Sequence, residues 1–141
     1  MNKKGFTISE LLVVFMIVII TGTLMIPFIQ YTRDKLERTL CANNLRRIGL
    51  ALYIYARENQ GLFPETLQVL YEKQYLADAR LMDCPANKSA GTVENPEYEY
   101  FPGLSVESES KTILVKDKKG NHKKGENVLY VNANIAWKRE S

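Results

Sequence analysis

Glu10 has the most chemistry to explain in this sequence, because it stands at the head of an uncharged, mostly apolar run from Leu11 to Ile29. An ionised carboxylate in bilayer hydrocarbon costs on the order of 2.5 to 3.5 kcal/mol, so an acid here reads as a functional group in want of a partner charge. The blander alternative is a side chain that reaches the headgroup layer. Cys41 and Cys84 are the only thiols and offer at most one disulfide. His122 is the only histidine, set in Lys118-Lys119-Gly120-Asn121-His122-Lys123-Lys124-Gly125. It has no sequence neighbours suited to a metal or to catalysis and reads as a solvated hairpin tip. The lysines around it, with Lys116, could meet phosphates. No aromatic is interleaved among them to stack bases, so nucleic acid is not an expected partner. Asp117 and Glu126, with Glu107 and Glu109 before them, are the acids open to calcium. They lack the spacing of a ligand loop and read as surface acids, so no cofactor is expected. No serine, cysteine or metal hydrolase arrangement is displayed, and the chain reads as non-enzymatic.

These residues need a scaffold, and the sequence supplies one in two unlike halves. As a helix, the run from Leu11 to Ile29 spans about 28 Å, close to the ~30 Å hydrocarbon thickness of a bilayer. Lys3 and Lys4 precede it and no basic residue follows until Arg33, which keeps the short N-terminus cytoplasmic and exports the rest. A secretory signal peptide begins in the same way. The length of the run, the lack of a small-x-small site after it and Glu10 at its start argue against one. Pro27 removes a backbone donor and predicts a kink or weakened turn, with Gly22 a second soft point. Beyond it the apolar residues become periodic. Leu36, Leu40 or Cys41, Leu45, Ile48, Leu52, and Tyr55 or Ala56 mark one helical face packed on a core. Arg33 with Glu37 and Asp34 with Arg38 form i,i+4 pairs that support the exposed side. Asn59-Gln60-Gly61 stops the helix, with Gly61 suited to a left-handed cap. The predicted helix runs from Phe6 to Asn59, about 80 Å.

The rest is a polar head of about 110 residues, enough for one small core. Pro64 lies near the start of a predicted short second helix, with Leu67, Leu70 and Tyr71 on one side. Thr112 to Lys116, Asn127 to Val131 and Ile135 to Lys138 are β-prone runs between turn residues. They predict a small antiparallel sheet whose inner face packs on the helical stripe, with Tyr130 or Trp137 adding area. The fold class is therefore α+β: a long N-terminal helix, membrane half plus head half, packed on a short second helix and a small antiparallel sheet. The chain carries 19 lysines and arginines, and once Lys3 and Lys4 are set aside the rest nearly balance 16 acids. A disulfide between Cys41 and Cys84 would contribute roughly 3 to 4 kcal/mol. Burial of Cys41 as a small hydrophobe fits the stripe equally well.

Lys3-Lys4-Gly5-Phe6-Thr7-Ile8-Ser9-Glu10-Leu11-Leu12-Val13-Val14 resembles the processing site of type IV pilins and type II secretion pseudopilins. The resemblance implies that a prepilin peptidase cuts after Gly5, that Phe6 is then N-methylated, and that Glu10 guides assembly. Gly5, lacking a side chain, lets extended backbone enter a narrow protease site. The new amine of Phe6 can meet Glu10 of a neighbouring copy, which offsets the burial of either charge alone and fixes the register between subunits. The resemblance further implies a stalk bent at Pro27, with the Gly22 to Pro27 stretch partly melting in a filament. Gly61-Leu62-Phe63-Pro64 looks like the opening of the second helix in major pseudopilins, a group that commonly holds calcium in a C-terminal loop. Cys84-Pro85, the loop through Asn95-Pro96 and Tyr98-Glu99-Tyr100-Phe101 resemble a branch named for a histidine, nine residues and then Asp-Gly. Here His122 is followed at that spacing by Asn132-Ala133, so any role resting on the aspartate does not carry over.

The resulting division is residues 1–5 as leader, 6–30 as the transmembrane and assembly half, and 31–141 as a periplasmic or extracellular head. The expected function is that of a pseudopilin subunit in a type II secretion filament, held in the bacterial inner membrane by a single pass. Expected partners are copies of itself, other pseudopilins, the prepilin peptidase, the inner-membrane secretion platform and the membrane. Two rival readings stand beside it. One is a major or minor type IV pilin serving adhesion, motility or DNA uptake. The other is a membrane-tethered binding protein that never polymerises, in which Glu10 would be dispensable.

Overall fold

The computed structural model describes residues 7–87 and 91–139. The expected leader, with Gly5 and Phe6, lies outside the described residues. Helix α1 covers Ile8–Glu58 without interruption, passing through both Gly22 and Pro27. Two compact units divide within it, after Lys35.

In the first unit the helix is mostly apolar all round from Leu11 to Ile29 and leaves those side chains exposed, Leu12, Phe15, Ile19, Leu24 and Phe28 among them. It is long and apolar enough to cross a membrane, and none of its apolar window is buried. The threonines within that apolar stretch satisfy themselves locally. The Thr21 hydroxyl donates to the Ile17 carbonyl at 2.8 Å, and that of Thr23 donates to Ile19 at 2.9 Å. Neither hydroxyl then needs water, which a hydrocarbon surrounding would withhold.

The second unit is organised by the other half of α1. Cys41, Leu45, Ile48, Leu52 and Ala56 recur at steps of three or four and are fully buried, the spacing that places side chains on one helical face. The stripe therefore chooses Cys41 over Leu40 and Ala56 over Tyr55. Leu36, expected in it, is more than half exposed. Arg38, expected to pair with Asp34, instead lays its guanidinium 3.9 Å from the centre of the Trp137 ring. At the helix end both Gln60 and Gly61 take positive φ, and the Gly61 amide closes on the Ala56 carbonyl at 2.8 Å.

Helix α2 is a single turn, Gln68–Glu72. Leu67 and Leu70 are buried as expected, but Tyr71 is 42% exposed and does not share their face. Pro64 lies four residues before α2 and accepts a hydrogen bond at its carbonyl from the Tyr100 hydroxyl. A short 3₁₀ turn follows at Ala79–Met82, capped where the Asp78 carboxylate accepts from the Arg80 amide.

The sheet has four strands, one more than predicted: β1 Tyr98–Tyr100, β2 Ile113–Asp117, β3 Gly125–Tyr130 and β4 Ile135–Arg139. They pair antiparallel in chain order. Strand β1 sets Tyr98 opposite Asp117 and Tyr100 opposite Val115. Leu114, Val115, Leu129 and Val131 join the helical stripe in one core with Leu70, Met82 and Tyr98. The approach of helix to sheet is close, since a Cβ on Gly49 would lie 2.9 Å from a Leu129 methyl. This is the α+β fold expected from the sequence.

The β3–β4 turn accounts for the Asn132-Ala133 pair. The Asn132 side-chain oxygen accepts from the Asn134 amide at 3.0 Å, a bond an aspartate would make equally well. Ala133 sits at φ 63°, in the left-handed region where glycine carries no steric penalty. Ala133→Gly is expected to stabilise the fold by about 0.5 kcal/mol, the ~1 to 2 kcal/mol relief of strain being partly offset by the greater freedom of glycine in the unfolded chain. Thermal unfolding of the full chain in detergent, followed by circular dichroism, would show a small rise in midpoint; an unchanged or lowered midpoint would contradict this account of the turn.

Candidate functional site

Two places bring chemistry-bearing residues together, one in each unit. The first is the start of α1. The Glu10 carboxylate accepts through Oε2 from the Thr7 amide at 2.9 Å and from the Thr7 hydroxyl at 2.8 Å. The Thr7 hydroxyl oxygen accepts in turn from the Glu10 amide at 3.3 Å. This is a reciprocal capping box, in which a threonine and the acid three residues on satisfy amides that the first turn leaves without partners. The Thr-x-x-Glu pattern was there to be read in Thr7-Ile8-Ser9-Glu10, but the position of Glu10 beside the apolar run overshadowed it. Both bonds use Oε2, and Oε1 takes part in neither. A carboxylate in the first turn also complements the positive end of the helix dipole.

The second place is buried, and only its two cysteines stand out in the sequence. Cys41 from α1 and Cys84 from the loop after the 3₁₀ turn are bonded to one another, with Cα atoms 5.5 Å apart. Both are fully buried. Of the two readings left open for Cys41, the stripe residue and the disulfide partner, the structure holds both. Next to the disulfide lies His122, whose Nε2 is 3.6 Å from Cys84 Sγ and 3.3 Å from Asp117 Oδ2. His122 is therefore no solvated hairpin tip. The chain between β2 and β3 folds inward, held where the Asn121 side-chain amide donates to the Glu97 carbonyl at 2.9 Å, and both Asn121 and His122 are buried.

Asp117 is likewise not a surface acid. It is wholly inaccessible, and Oδ2 accepts from the Asn127 amide at 2.7 Å and the Asn127 side chain at 2.8 Å. The same Asn127 side chain donates to the Arg38 carbonyl at 3.1 Å, tying sheet to helix. Asp117 Oδ1 has no hydrogen-bond partner among the described residues. Trp137 closes the cluster, meeting His122 edge to face with ring centres 5.6 Å apart beneath the Arg38 guanidinium. Of the other acids weighed for calcium, Glu126 pairs with Lys116 at 3.5 Å, and Glu107 and Glu109 are exposed. Lys116 also pairs with Glu99 at 3.2 Å, and Lys118 donates to the Asn95 side-chain oxygen at 3.0 Å. No local pattern marks Asp117, Asn127 and His122 as neighbours, because strand pairing and the inward turn assemble them.

Comparison with protein-family models, with curated proteins and with solved structures gives no significant match. What the molecule shows is a pilin-like layout, a long apolar N-terminal helix carried into a domain with a small antiparallel sheet.

The Asp117 cluster should be far more sensitive to truncation than the surface ion pairs. Asp117→Ala strands the Asn127 donors and His122 in the interior and is expected to lower stability by about 3 kcal/mol. Lys116→Ala removes partly exposed pairs worth ~1 kcal/mol or less. Urea unfolding of the oxidised chain in detergent would rank the two, and equal midpoints would refute the structural weight given to Asp117.

Proposed function

We propose that this chain is a pseudopilin, a structural subunit of a type II secretion filament rather than an enzyme, processed after Gly5 and assembled through the first half of α1. The observation that carries the reading is the contrast within one continuous helix. Its first half leaves its apolar side chains uncovered, while its second half buries a stripe in a domain of its own. An apolar surface of that extent needs lipid or neighbouring helices around it. The segment Lys3 to Val14 supplies the processing signal beside it.

The capping box suggests how the same acid serves the monomer and the filament. After cleavage, the amine of Phe6 would stand one residue before Thr7, at the helix end where the dipole disfavours a positive charge. Glu10 offsets this while its Oε2 holds Thr7, and Oε1 is left for the amine of an adjacent copy. Such pairing stabilises two charges that would each be costly alone in hydrocarbon. The membrane, other pseudopilins and an inner-membrane secretion platform are the partners this reading requires, with the N-terminus cytoplasmic and the head exported.

Mass spectrometry of the chain expressed with a prepilin peptidase is expected to find a mature N-terminus at methylated Phe6, with Gly5→Val left uncleaved. An intact Met1, or cleavage beyond Ile29, would remove the basis for a filament. Glu10→Ala is expected to be cleaved and inserted normally yet to be lost from cross-linked or sheared oligomers. Oligomers at the wild-type level would favour the tethered, non-polymerising reading.

A further inference from the structure

The surroundings of His122 Nε2 are poor for a hydrogen bond and good for a metal. One nitrogen faces two acceptors, Asp117 Oδ2 at 3.3 Å and Cys84 Sγ at 3.6 Å, and a single N–H cannot point at both. On tetrahedral Zn²⁺, with bonds of about 2.3 Å to sulfur and ~2.0 Å to nitrogen or oxygen, a nitrogen lies about 3.6 Å from a sulfur and ~3.3 Å from an oxygen. Both separations are already present around Nε2. Cys41 Sγ, Cys84 Sγ and His122 lie with their ligand atoms within 4.8 Å of one another, all three residues buried. Asp117 stands beside this trio rather than within it: its Oδ2 faces Nε2 but already accepts from Asn127, while its buried Oδ1 has no hydrogen-bond partner among the described residues, so a turn of the carboxylate toward the trio would give that oxygen the partner it lacks.

We propose that, when the cysteines are reduced, Cys41, Cys84, His122 and Asp117 form a closed four-ligand site for Zn²⁺ or a cation of similar softness, so that the same residues close the domain in two ways. Reduction by a dithiol breaks the Cys41–Cys84 bond, giving two protein thiols while the dithiol becomes a disulfide. Zn²⁺ then takes both sulfurs as thiolates and two protons leave. The sulfurs must separate to about 3.8 Å, the spacing of two thiolates on one tetrahedral zinc, which side-chain rotation at Cys41 can supply. His122 binds through Nε2 in its neutral form, and Asp117 supplies the fourth ligand. Thiolate and imidazole donors favour zinc over calcium or magnesium. Oxidation reverses the exchange and expels the metal, since a disulfide sulfur is not a thiolate ligand. The site stands whether or not the chain enters a filament, because every ligand belongs to the second unit.

The test uses the full chain in detergent micelles, reduced with a phosphine, freed of reductant without air, and titrated with Co²⁺ as an optical substitute for Zn²⁺. One equivalent should produce thiolate-to-cobalt charge transfer together with the intense visible bands of tetrahedral Co²⁺, and Zn²⁺ should displace both. The oxidised chain and the Cys41→Ser, Cys84→Ser double variant should show neither. His122→Ala should weaken Zn²⁺ binding at least ~10-fold, measured by competition with a chromogenic chelator, the loss typical of a disturbed ligand set. Absence of the bands in the reduced wild-type chain, folded or not, would overturn the proposal. So would an affinity unchanged by His122→Ala, which would mean that two thiols alone hold the metal.

Discussion

The second half of α1 presents one apolar stripe, and the rest of the domain is arranged to cover it. Leu45, Ile48 and Leu52 are fully buried, and each such side chain removed from water is worth roughly 1.5 to 3 kcal/mol. A three-residue edge strand, a one-turn helix and a single 3₁₀ turn could not hold a fold by their own hydrogen bonds. They persist because Leu70, Met82 and Tyr98 each insert into the surface that the stripe provides. Polar and covalent ties then fix the fit. The disulfide starts from the first residue of the buried stripe, and the bond from Asn127 to the Arg38 carbonyl lies one helical turn earlier.

Tyr98 shows how far that enclosure goes. Its hydroxyl donates to the Asp83 carbonyl at 3.2 Å, and burial pushes the phenol well above its ordinary range, against a smaller opposing effect of the Asn44 hydrogen bond. The folded domain therefore keeps this proton at a pH where an unfolded chain would release it. The associated stability is fully present below about pH 10 and is lost as pH rises toward the folded-state value.

The fold is legible in the sequence where periodicity and length carry the information. The long helix, its apolar first half, its striped second half and the stop near Gly61 all follow from spacing, as do strands β2 to β4. It is not legible where tertiary contacts decide. Tyr98 to Tyr100 is too short to display alternation and becomes a strand only because β2 offers an edge. Tyr71 has the right spacing for a shared face, but a one-turn helix does not sustain it. Arg38 had an acid at i−4 and took an aromatic ring from β4 instead. His122 and Asp117 were read as exposed because they stand in a lysine-rich stretch, whereas the turn folds so that its lysines and its histidine part company. The candidate site is thus half legible: the cysteines could be named from the sequence, and their buried companions could not.

Trp137 is the only tryptophan in the chain, and its place over the His122 edge and under Arg38 has an optical consequence. Indole emission responds to the groups packed against the ring, and the His122 imidazole, itself 3.6 Å from Cys84 Sγ, is one of them. The molecule therefore carries its own fluorophore at the junction of helix, sheet and cysteine loop. A change in the packing of His122 or the bonding of its neighbour Cys84 would be written in that emission without any label, in micelles or in an intact membrane.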